Sequence, residues 1–554
     1  MKKSFKKLAA LVLAGTMVFS LCACGEKGGN DATNTPAAEA TKAPAAEATK
    51  APEKTEDPKT DTPAPTLAPI KLTISLPSAE EHLEANAEYD QARAELNEYL
   101  NADITWEWIS DSVYYDDEHL GLKMSTGDVA DVVISGKSAT FLKAAEEGLF
   151  WDIAPYIDEF PNLATIPQAT RENASHNGKM YGLPRSRTLA RNGLGYRVDW
   201  LNNLGLAEPT DWDSFADMLY KFTYNDPDGN GVDDTCGLAI DSWSGVWNIM
   251  MTWFGVPNEW GIDANGELIY KVMTPEYKTA IKAFRELYEQ GVINNGSNGI
   301  PDFLEVGPGK ARDTLLRTGL CGCGVQVLDD QRKVETYFES EGLADPDEPI
   351  YTLQGAVDTG LGILCYPTTG MNNLIAISTV NIKTEEQLKQ VLSVLDKIND
   401  GVALNLIEYG WEGKTYELDE NGYISLFQGD DLTAHGVTST RWNYGFNQVP
   451  AYFTAESNAR PVTVAPASTV VTKLEQELYA KNIQYCVPNY GASYSSQYYA
   501  YNGADLDKII NEAQQAFIRG EIDEAAFDAE IQRWFTAGGY VVTNEMNELY
   551  KKSK

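Results

Sequence analysis

Three stretches decide the fold: Ile70-Lys-Leu-Thr-Ile-Ser-Leu76, Ile104-Thr-Trp-Glu-Trp-Ile109 and Asp131-Val-Val-Ile-Ser-Gly136. The first alternates apolar and polar residues until Pro77 stops it, as in a β-strand. The third is short and continuously apolar, which is typical of a strand covered on both faces. Between the first two, Ala92, Leu96 and Leu100 recur at helical spacing. Strands that alternate with helices in this way predict an open α/β sheet.

The carboxyl ends of these strands are the expected place for a ligand, because open α/β sheets bind ligands outside those ends. In this chain the ends are residues 77–81 and 135–137. Their polar side chains include Glu80 and Ser135, which we therefore predict to contact a ligand.

The first 24 residues have the pattern of an export signal. Four lysines precede an apolar run from Leu8 to Leu21, which is too short for a membrane-spanning helix of ~20 residues. The stretch Leu21-Cys22-Ala23-Cys24 is similar to a bacterial lipobox, so we expect Cys24 to be diacylated as the first mature residue. Two acyl chains anchor a protein firmly, which predicts attachment to the extracellular face of the cell membrane. The alternative is a plain signal peptide with an incidental Cys24.

Residues 25–69 form a low-complexity segment. An eight-residue unit at 36–43 is repeated at 44–51, and Ala, Pro, Thr, Glu and Lys dominate throughout. Such a composition buries too little apolar surface to offset the entropy lost on ordering. We therefore predict a disordered tether between the anchor and a folded body that starts at Ile70.

The length and charge of the chain limit its possible functions. A chain of 554 residues is long enough for more than one domain. Its formal net charge is −37 at pH 7, which indicates an acidic and soluble surface. We expect no nucleic-acid partner, because binding to phosphates requires a basic face.

Outside the export signal there are five cysteines: Cys236, Cys321, Cys323, Cys365 and Cys486. Their spacings are typical neither of a zinc site nor of a disulfide framework. We expect them to be buried as small apolar residues, and a single disulfide between distant members stays open. The four histidines are not paired at metal-ligand spacing, which argues against a histidine-dependent enzyme.

An acidic loop over residues 226–234 has the spacing of a calcium-binding EF-hand loop. Its candidate ligands are Asp226, Asp228, Asn230, the backbone carbonyl of Val232, and Asp234. The spacing predicts a structural calcium site, although Gly237 stands where an EF-hand has its last, bidentate Glu. The alternative is a turn held by its own Asp and Asn side chains.

The chain has 12 Trp and 29 Tyr, a high aromatic content. Aromatic rings cover the C–H faces of sugars, while Asp, Asn, Gln and Arg pair with the hydroxyls. Stretches 241–248 and 441–444 mix both kinds of residue. The candidate ligand contacts are Arg187, Asp241, Trp243, Trp247, Trp442, Asn443 and Tyr444, with Trp243 and Trp442 expected to stack. The alternative is that each Trp is an ordinary core residue.

The C-terminal part is expected to be helical. Two amphipathic helices follow Asp505, Gly538-Gly539 interrupts the pattern, and a last helix is predicted over 545–551. The Tyr- and Ser-rich segment 489–501 precedes them. Two interpretations stay open for this segment: it rims a ligand cleft, or it packs between the C-terminal helices.

A series of motifs resembles a known family. The motifs are Gly178-Lys-Met-Tyr-Gly-Leu-Pro-Arg-Ser-Arg187, Leu189-Ala-Arg-Asn192, Asp199-Trp-Leu201, Thr210-Asp-Trp-Asp213, 225–231, 410–418 and 523–528. Together they are similar to the carbohydrate-type extracellular solute-binding lipoproteins of ABC importers, solute-binding family 1, LipO-like. The resemblance extends over about residues 70–554.

The resemblance implies a two-lobed α/β fold like that of periplasmic binding proteins, with a hinge and a ligand cleft between discontinuous lobes. The N-terminal lobe would comprise 70–187 and 374–450, and the C-terminal lobe 188–373 and 451–554. The crossovers of the hinge would lie at 186–195, 373–380 and 447–453.

The resemblance also implies a function: a monomeric, lipid-anchored receptor that binds an oligosaccharide and delivers it to an ABC permease. We expect no enzymatic activity, because the chain has neither a Gly-x-Ser-x-Gly elbow nor a paired-His zinc motif. The alternatives are a surface enzyme that acts on glycans and a peptide or lipid receptor, since a fold does not choose its ligand.

Overall fold

The computed structural model describes residues 69–78, 86–114, 117–242, 245–307, 310–439, 442, 446–449 and 469–554. The export signal with Cys24 and the tether up to residue 68 lie outside these residues. So do four of the candidate ligand contacts, Glu80, Trp243, Asn443 and Tyr444.

The strands are β1 (Ile70–Ser78), β2 (Ala102–Ser110), β3 (Val132–Ser135), β4 (Leu183–Ser186), β5 (Asn192–Arg197), β6 (Cys236–Ala239), β7 (Trp260–Ile262), β8 (Leu268–Tyr270), β9 (Cys321–Val327), β10 (Tyr351–Gln354), β11 (Met371–Ile377), β12 (Tyr416–Leu418) and β13 (Ile424–Leu426). The α-helices are α1 (Ala87–Leu100), α2 (Asp111–Tyr114), α3 (Asp117–Thr126), α4 (Ala139–Glu146), α5 (Gln168–Ala174), α6 (Val198–Leu204), α7 (Trp212–Tyr224), α8 (Gly245–Trp253), α9 (Pro275–Glu289), α10 (Lys310–Arg317), α11 (Leu328–Ser340), α12 (Glu385–Ile398), α13 (Gly401–Tyr409), α14 (Asp430–Ala434), α15 (Val470–Asn482), α16 (Gln497–Ile518), α17 (Glu524–Trp534) and α18 (Tyr540–Lys552). Among the helices of the described part, none combines the length and the apolar composition that a membrane span requires.

The first sheet has the strand order β2-β1-β3-β11-β4. β1 pairs in parallel with β2, with Ile70 opposite Ala102, and also in parallel with β3. β11 pairs antiparallel with β3 and with β4. The strands predicted at 70–76, 104–109 and 131–136 are confirmed and lie side by side. We call this sheet with its helices lobe 1, residues 69–186 and 371–449.

The second sheet has the strand order β10-β5-β9-β6. β5 pairs antiparallel with β10 and with β9, and β6 pairs in parallel with β9. We call this sheet with its helices lobe 2, residues 192–354 and 469–554. The sequence patterns that predict strands at 192–197 and 236–240 are confirmed as β5 and β6.

Each sheet has its own hydrophobic core. In lobe 1 the side chains of Ile74, Ile134 and Ile375 are fully buried. In lobe 2 the largest fully buried side chains include Trp200 and Trp253. Burial of a large apolar side chain stabilises a fold by roughly 1.5–3 kcal/mol. Each lobe is therefore stabilised by a core of its own.

Two described segments cross between the sheets, and we call them the hinge segments, 187–191 and 355–370. They run side by side, because the Arg187 N–H donates to the Gly370 carbonyl at 2.8 Å and the Thr368 N–H donates to the Leu189 carbonyl at 2.9 Å. Both lobes belong to one compact unit. The lobes are therefore joined at this seam.

Of the predicted crossovers, one lies at a different position in the structure and one is described only in part. The crossover predicted at 373–380 lies earlier, because β11 starts at Met371 and Leu374 already pairs with Ser135 of β3. Of the crossover predicted at 447–453, only 447–449 is described, and Val449 is buried in the core of lobe 1. The rest of that crossover lies outside the described residues.

Helix α7 shows how local sequence sets an element. The sequence predicts here a helix capped by Thr210, with a buried face of Phe215, Met218, Leu219 and Phe222, and that face is confirmed. The predicted cap, Thr210, is wrong by one residue. Asp211 is the N-cap, because its side chain accepts a hydrogen bond from the Ser214 N–H and Ser214 bonds back in a capping box.

Candidate functional site

Lys137 follows the carboxyl end of β3, at the edge of lobe 1 that meets lobe 2. Its Nζ donates hydrogen bonds to the carbonyl oxygens of Asn173 at 3.0 Å, Ser175 at 2.5 Å and Ala492 at 3.2 Å. The first two acceptors are in lobe 1 and the third is in lobe 2, so this side chain bridges the lobes. Burial lowers the pKa of Lys137 to about 8, because desolvation disfavours the charged form.

A second link joins Asn177 of lobe 1 to the segment that we call the 489–496 loop of lobe 2. The Asn177 N–H donates to the Ser493 carbonyl at 2.8 Å, and the Ser495 N–H donates to Asn177 Oδ1 at 3.4 Å. Asn177 has a φ of +50°, a left-handed conformation that asparagine tolerates better than most residues. The 489–496 loop therefore contacts lobe 1 through its backbone.

The Tyr-rich segment makes contacts of the kind expected from each interpretation. The backbone of 492–495 lies at the boundary between the lobes, as a cleft rim would. The Tyr494 ring instead packs against Tyr550 of α18, with ring centroids 6.0 Å apart. The Tyr498 hydroxyl donates to the Ala537 carbonyl at 2.9 Å, which ties α16 to the break before α18.

The hinge segments are fastened to both lobes by side-chain amides. Asn173 Nδ2 of lobe 1 donates to the Thr369 carbonyl at 2.8 Å. Asn192 Nδ2 of lobe 2 donates to the Tyr366 carbonyl at 2.9 Å. The 355–370 segment is thus hydrogen-bonded to both lobes.

Two of the predicted ligand contacts lie at the boundary between the lobes. Ser135 ends β3 and is buried, with its hydroxyl donating to the Gly136 carbonyl at 3.0 Å. Arg187 is the first residue of the 187–191 hinge segment and is half-buried. Its Nη1 donates to the Ser186 carbonyl at 2.9 Å. Both are positioned next to the seam where a ligand between the lobes would bind.

Asp241, predicted to hydrogen-bond a ligand, is fully buried in lobe 2 instead. Arg312 Nη1 donates to Asp241 Oδ2 at 3.2 Å, and Arg312 Nη2 donates to Asp313 Oδ1 at 2.6 Å. Arg312 is itself fully buried. A buried charge persists only when it is paired, so the Asp241 carboxylate is committed to this ion pair.

Two predicted tryptophans also lie in the cores, as the alternative interpretation expects. Trp247 is 5% exposed, and its ring packs against Phe284 and Phe303 with centroids 5.2 and 5.7 Å away. Trp442 is 7% exposed and its Nε1 donates to the Leu406 carbonyl at 3.3 Å. Neither ring has an open face for stacking, because neighbouring side chains of its own lobe cover it.

A cavity of about 340 Å³ lies directly behind the 489–496 loop. Its lining is rich in aromatic and polar side chains: Glu259, Trp260, Tyr270, Asn489, Gly491, Ala492, Tyr494, Ser495, Ser496, Tyr499, Trp534, Val542 and Met546. The Tyr270 ring stacks on Trp534 with centroids 5.1 Å apart. This volume is within the range of small-molecule sites.

One carboxylate, that of Glu259, lines the cavity, and a second, that of Asp507, lies next to the lining residue Tyr499. Glu259, in a left-handed conformation with φ +58°, pairs with Lys271 Nζ at 2.6 Å. The Tyr499 hydroxyl donates to Asp507 Oδ2 at 2.7 Å. Burial raises the pKa of Asp507, and the Glu259 charge adds to the effect. The ion-paired Glu259 beside aromatic rings is a mixed polar and apolar lining, which suits a ligand with hydroxyl groups.

Sequence reasoning missed the cavity residues Glu259 and Tyr270, and Asp507, which binds the lining residue Tyr499. They come from the turn before β7, from β8 and from α16, so no local spacing brings them together. A weak signal exists only in the 489–501 segment, where the density of Tyr and Ser is visible in the sequence.

The Asp226 loop, residues 226–234, joins α7 to β6. Asn230 lies at its centre, where Nδ2 donates to Asp228 Oδ2 at 2.9 Å and to Asp234 Oδ1 at 3.2 Å. Asn230 Oδ1 accepts from the Val232 N–H at 2.7 Å. The carboxylates of Asp228 and Asp234 and the backbone of Val232 therefore all lie around the side-chain amide of Asn230.

Asp226 closes the loop from the other side. Its Oδ2 accepts from the Gly231 N–H at 3.0 Å, while its Oδ1 is buried without a hydrogen-bond partner. An orphaned carboxylate oxygen near further carboxylates suits a hard cation such as Ca²⁺. Within the described ranges, no group of three or more His, Cys, Asp or Glu side chains is already arranged as a metal site. The hydrogen bonds also fit the alternative of a self-supporting turn.

Known proteins are similar to this chain in sequence and in fold. Residues 79–302 match the model of the bacterial extracellular solute-binding proteins. Lipoprotein LipO of Bacillus subtilis is 32% identical over 465 residues, which cover 83% of this chain and 88% of LipO. The polygalacturonan/rhamnogalacturonan-binding protein YtcQ of the same species is 27% identical, covering 84% and 89% of the two chains.

Solved structures agree in fold. An HMO-binding, ABC-transporter-associated solute-binding protein from Bifidobacterium longum infantis superposes with a TM-score of 0.62 at 16% identity, covering 87% of this chain and 98% of its own. The Streptococcus pneumoniae substrate-binding protein FusA, an EF-hand mutant in complex with fructo-nystose, also gives 0.62, at 18% identity and with 87% and 99% covered. These neighbours have the two-lobed fold of periplasmic binding proteins. Since LipO matches it at 32% identity across most of both chains, the chain belongs to the bacterial extracellular solute-binding protein family, as a LipO-like member.

Proposed function

We propose that the protein is the substrate receptor of an ABC importer, which captures an oligosaccharide between its lobes and delivers it unchanged to the permease. The observation that carries the proposal is the pair of links across the boundary, from Lys137 to Ala492 and from Asn177 to Ser493. These hydrogen bonds exist only when the lobes approach each other. A ligand that contacts both lobes would therefore stabilise this arrangement over an open one.

The sugar class of ligand is supported by chemistry and by relatives. The cavity behind the 489–496 loop is lined by lobe 2 residues alone and offers aromatic rings next to the carboxylate of Glu259. It lies beside the backbone that contacts lobe 1, and a sugar between the lobes would extend into it from there. YtcQ is named for binding polygalacturonan and rhamnogalacturonan, and FusA for fructooligosaccharides. The C–H faces of a sugar ring would pack on the aromatic side chains of the lining, and its hydroxyls would pair with the polar side chains, since each buried polar group needs a partner.

The direct test is calorimetry with a panel of plant and host oligosaccharides on the mature protein, followed by mass spectrometry of the ligand. We expect binding of one sugar class at one site per chain, with the ligand recovered intact. Cleavage of the sugar would instead support a surface enzyme. Stabilisation by peptides without a response to sugars would support a peptide receptor.

Attachment to the membrane is the second part of the proposal. Lipidation of Cys24 would leave the monomeric receptor on the outer face of the cell membrane, where an importer needs it. A Cys24→Ala variant should appear in the culture medium, while a Cys22→Ala variant stays with the cells. Retention of the Cys24→Ala variant would contradict the lipid anchor.

Calcium is the third part. The Asp226 loop would hold the ion through Asp226, Asp228, Asn230, Asp234 and the Val232 carbonyl, and the ion would supply structural rigidity rather than chemistry. The orphaned Asp226 Oδ1 supports this assignment. The neighbour FusA is described with an EF-hand of its own.

A further inference from the structure

The five cysteines outside the export signal are free thiols in the described structure, but four of them stand in pairs. Cys365 and Cys486 form an isolated parallel β-bridge, and Cys236 of β6 is the register partner of Cys321 of β9. Cys323 is opposite Leu238 and has no cysteine partner in the register. This pairing is invisible in the sequence, where 120 residues separate Cys365 from Cys486.

The Cys365–Cys486 bridge is defined by two hydrogen bonds. The Cys365 N–H donates to the Tyr485 carbonyl at 2.9 Å, and the Val487 N–H donates to the Cys365 carbonyl at 3.0 Å. This pattern sets the two cysteines directly opposite each other. Paired strands lie ~4.8 Å apart and their opposed side chains share one face, and disulfides span Cα separations of ~4.4–6.8 Å. The backbone is therefore already at disulfide distance.

The two thiols differ in their exposure to solvent. Cys365 is 1% exposed, whereas Cys486 is half-buried and packs at the margin of the same lobe 2 core. Burial raises the pKa of Cys365 to about 12 and that of Cys486 to about 11. Cys486 is thus the more accessible thiol and the one that an external reagent reaches first.

We propose that Cys365 and Cys486 form an intramolecular disulfide in the folded protein when it meets a disulfide oxidant outside the cell. The oxidant is of the thiol-exchange class, either an oxidised thiol–disulfide oxidoreductase or a small disulfide such as oxidised glutathione. The deprotonated Cys486 sulfur attacks the oxidant disulfide and releases one thiol. Cys365, losing its proton, then attacks the Cys486 sulfur and releases the second. One S–S bond is exchanged for another, and two thiol hydrogens pass to the oxidant.

The position of this bond gives it a structural consequence. Cys365 lies in the 355–370 hinge segment, directly before Tyr366, whose carbonyl is held by Asn192. Cys486 begins the stretch that leads into the 489–496 loop. The disulfide would therefore fasten the 355–370 hinge segment to the lobe 2 stretch that leads into the 489–496 loop.

The Cys236–Cys321 pair provides an internal control. These residues are 4% and 0% exposed in the interior of the second sheet, and Cys236 Sγ donates to the Val292 carbonyl at 3.3 Å. A reagent in solution has no route to either sulfur in the folded state. We therefore expect Cys236, Cys321 and Cys323 to stay reduced under conditions that oxidise the other pair.

The experiment treats the reduced, folded full chain with oxidised glutathione, then denatures it, alkylates the remaining thiols and maps the peptides by mass spectrometry. We expect one peptide pair linked through Cys365 and Cys486, and alkylation at Cys236, Cys321 and Cys323. The oxidised protein should melt at a higher temperature than the reduced one, because the cross-link constrains the unfolded chain.

The variants separate the possible outcomes. Cys365→Ser should give a stable glutathione adduct on Cys486, no intramolecular link and no rise in melting temperature on oxidation. Cys323→Ser, the matched control, should form the link as the parent does; if Cys365→Ser folds poorly, Cys365→Ala replaces it. A persistent glutathione adduct on Cys486 of the parent chain, with Cys365 alkylated, would overturn the proposal. So would a Cys236–Cys321 link formed at the same rate.

Discussion

Trp442 is enclosed by the side chains of lobe 1, with its indole 6.1 Å from the ring of Trp411 and its N–H bonded to the Leu406 carbonyl. We expect Trp442→Ala to lower the free energy of unfolding by ~3–5 kcal/mol, as buried tryptophan truncations do, while the ligand dissociation constant changes little. Chemical denaturation and calorimetry measure the two effects. The matched control is Tyr501→Ala, since Tyr501 is 71% exposed. A weakened ligand affinity with unchanged stability would restore the stacking role expected from the sequence.

Lys137 gives a prediction for pH dependence. Burial lowers its pKa from the ordinary 10.5 to about 8, so between these two values the unfolded chain binds more protons than the folded one. Stability contributed at this residue therefore rises with pH in that window. From about pH 7.5 to about pH 9.5, the unfolding free energy of the parent chain should increase relative to that of Lys137→Met, which cannot titrate there. Denaturant titrations at both pH values measure the difference, and parallel pH profiles for the two proteins would contradict the assignment.

The Asp226 loop makes a prediction at the scale of one element. If the loop holds calcium, removal of the ion leaves the carboxylates of Asp226, Asp228 and Asp234 to repel one another, so a chelator should lower the melting temperature. The Asp226→Ala and Asp228→Ala double variant should melt at the lower temperature with or without the chelator. Differential scanning calorimetry measures both effects.

A matched control for the Asp226 loop exists in the same lobe. The turn at Asp263 also uses an aspartate to accept backbone hydrogen bonds, from Asn265 at 2.8 Å and Glu267 at 2.9 Å. Asp263→Ala removes such a turn without touching the proposed ion site, so its response to the chelator should equal that of the parent chain. If the parent chain itself does not respond to the chelator, the loop is a self-supporting turn.

Elements that are determined by neighbouring residues in the chain were predictable from the sequence. Elements that are determined by contacts with residues far away in the chain were not. The strand at 70–76 and the buried face of α7 follow from residue spacing alone, and both are present. The break at Gly538 is also present, because its φ of +142° suits glycine and its neighbour Tyr498 leaves no room for a Cβ. The second crossover was misplaced because strand β11 is defined by its partner Ser135, which lies far away in the chain.

The same distinction explains which residues of the candidate site could be predicted from the sequence. Ser135 and Arg187 were placed near the boundary because strand ends and connecting segments are visible in the sequence. Asp241 was misjudged because its partner Arg312 belongs to a separate helix. Mixed polar and aromatic stretches look alike whether they line a cleft or a core, and only the packing of distant elements distinguishes the two.

At the scale of the whole molecule, the described contacts across the seam are hydrogen bonds. Each lobe has its own core, and the hinge segments join them through paired backbone. The links from Lys137 and Asn177 are hydrogen bonds at the rim and not packed surfaces. Each hydrogen bond of this kind contributes about 0.5–1.5 kcal/mol, so the proposed ligand would have enough binding free energy to shift the lobes between open and closed states.

This balance leads to a prediction about closure. Small-angle X-ray scattering of the mature protein should give a smaller radius of gyration with bound oligosaccharide than without it. Lys137→Met loses the bond to the Ala492 carbonyl, so its unliganded form should be more open and its ligand affinity about tenfold weaker, which corresponds to ~1.4 kcal/mol. Lys143→Met, on the exposed face of α4, is the control and should bind as the parent does. Identical scattering curves with and without a tightly bound sugar would mean that the lobes do not move, and the delivery of ligand by closure would have to be abandoned.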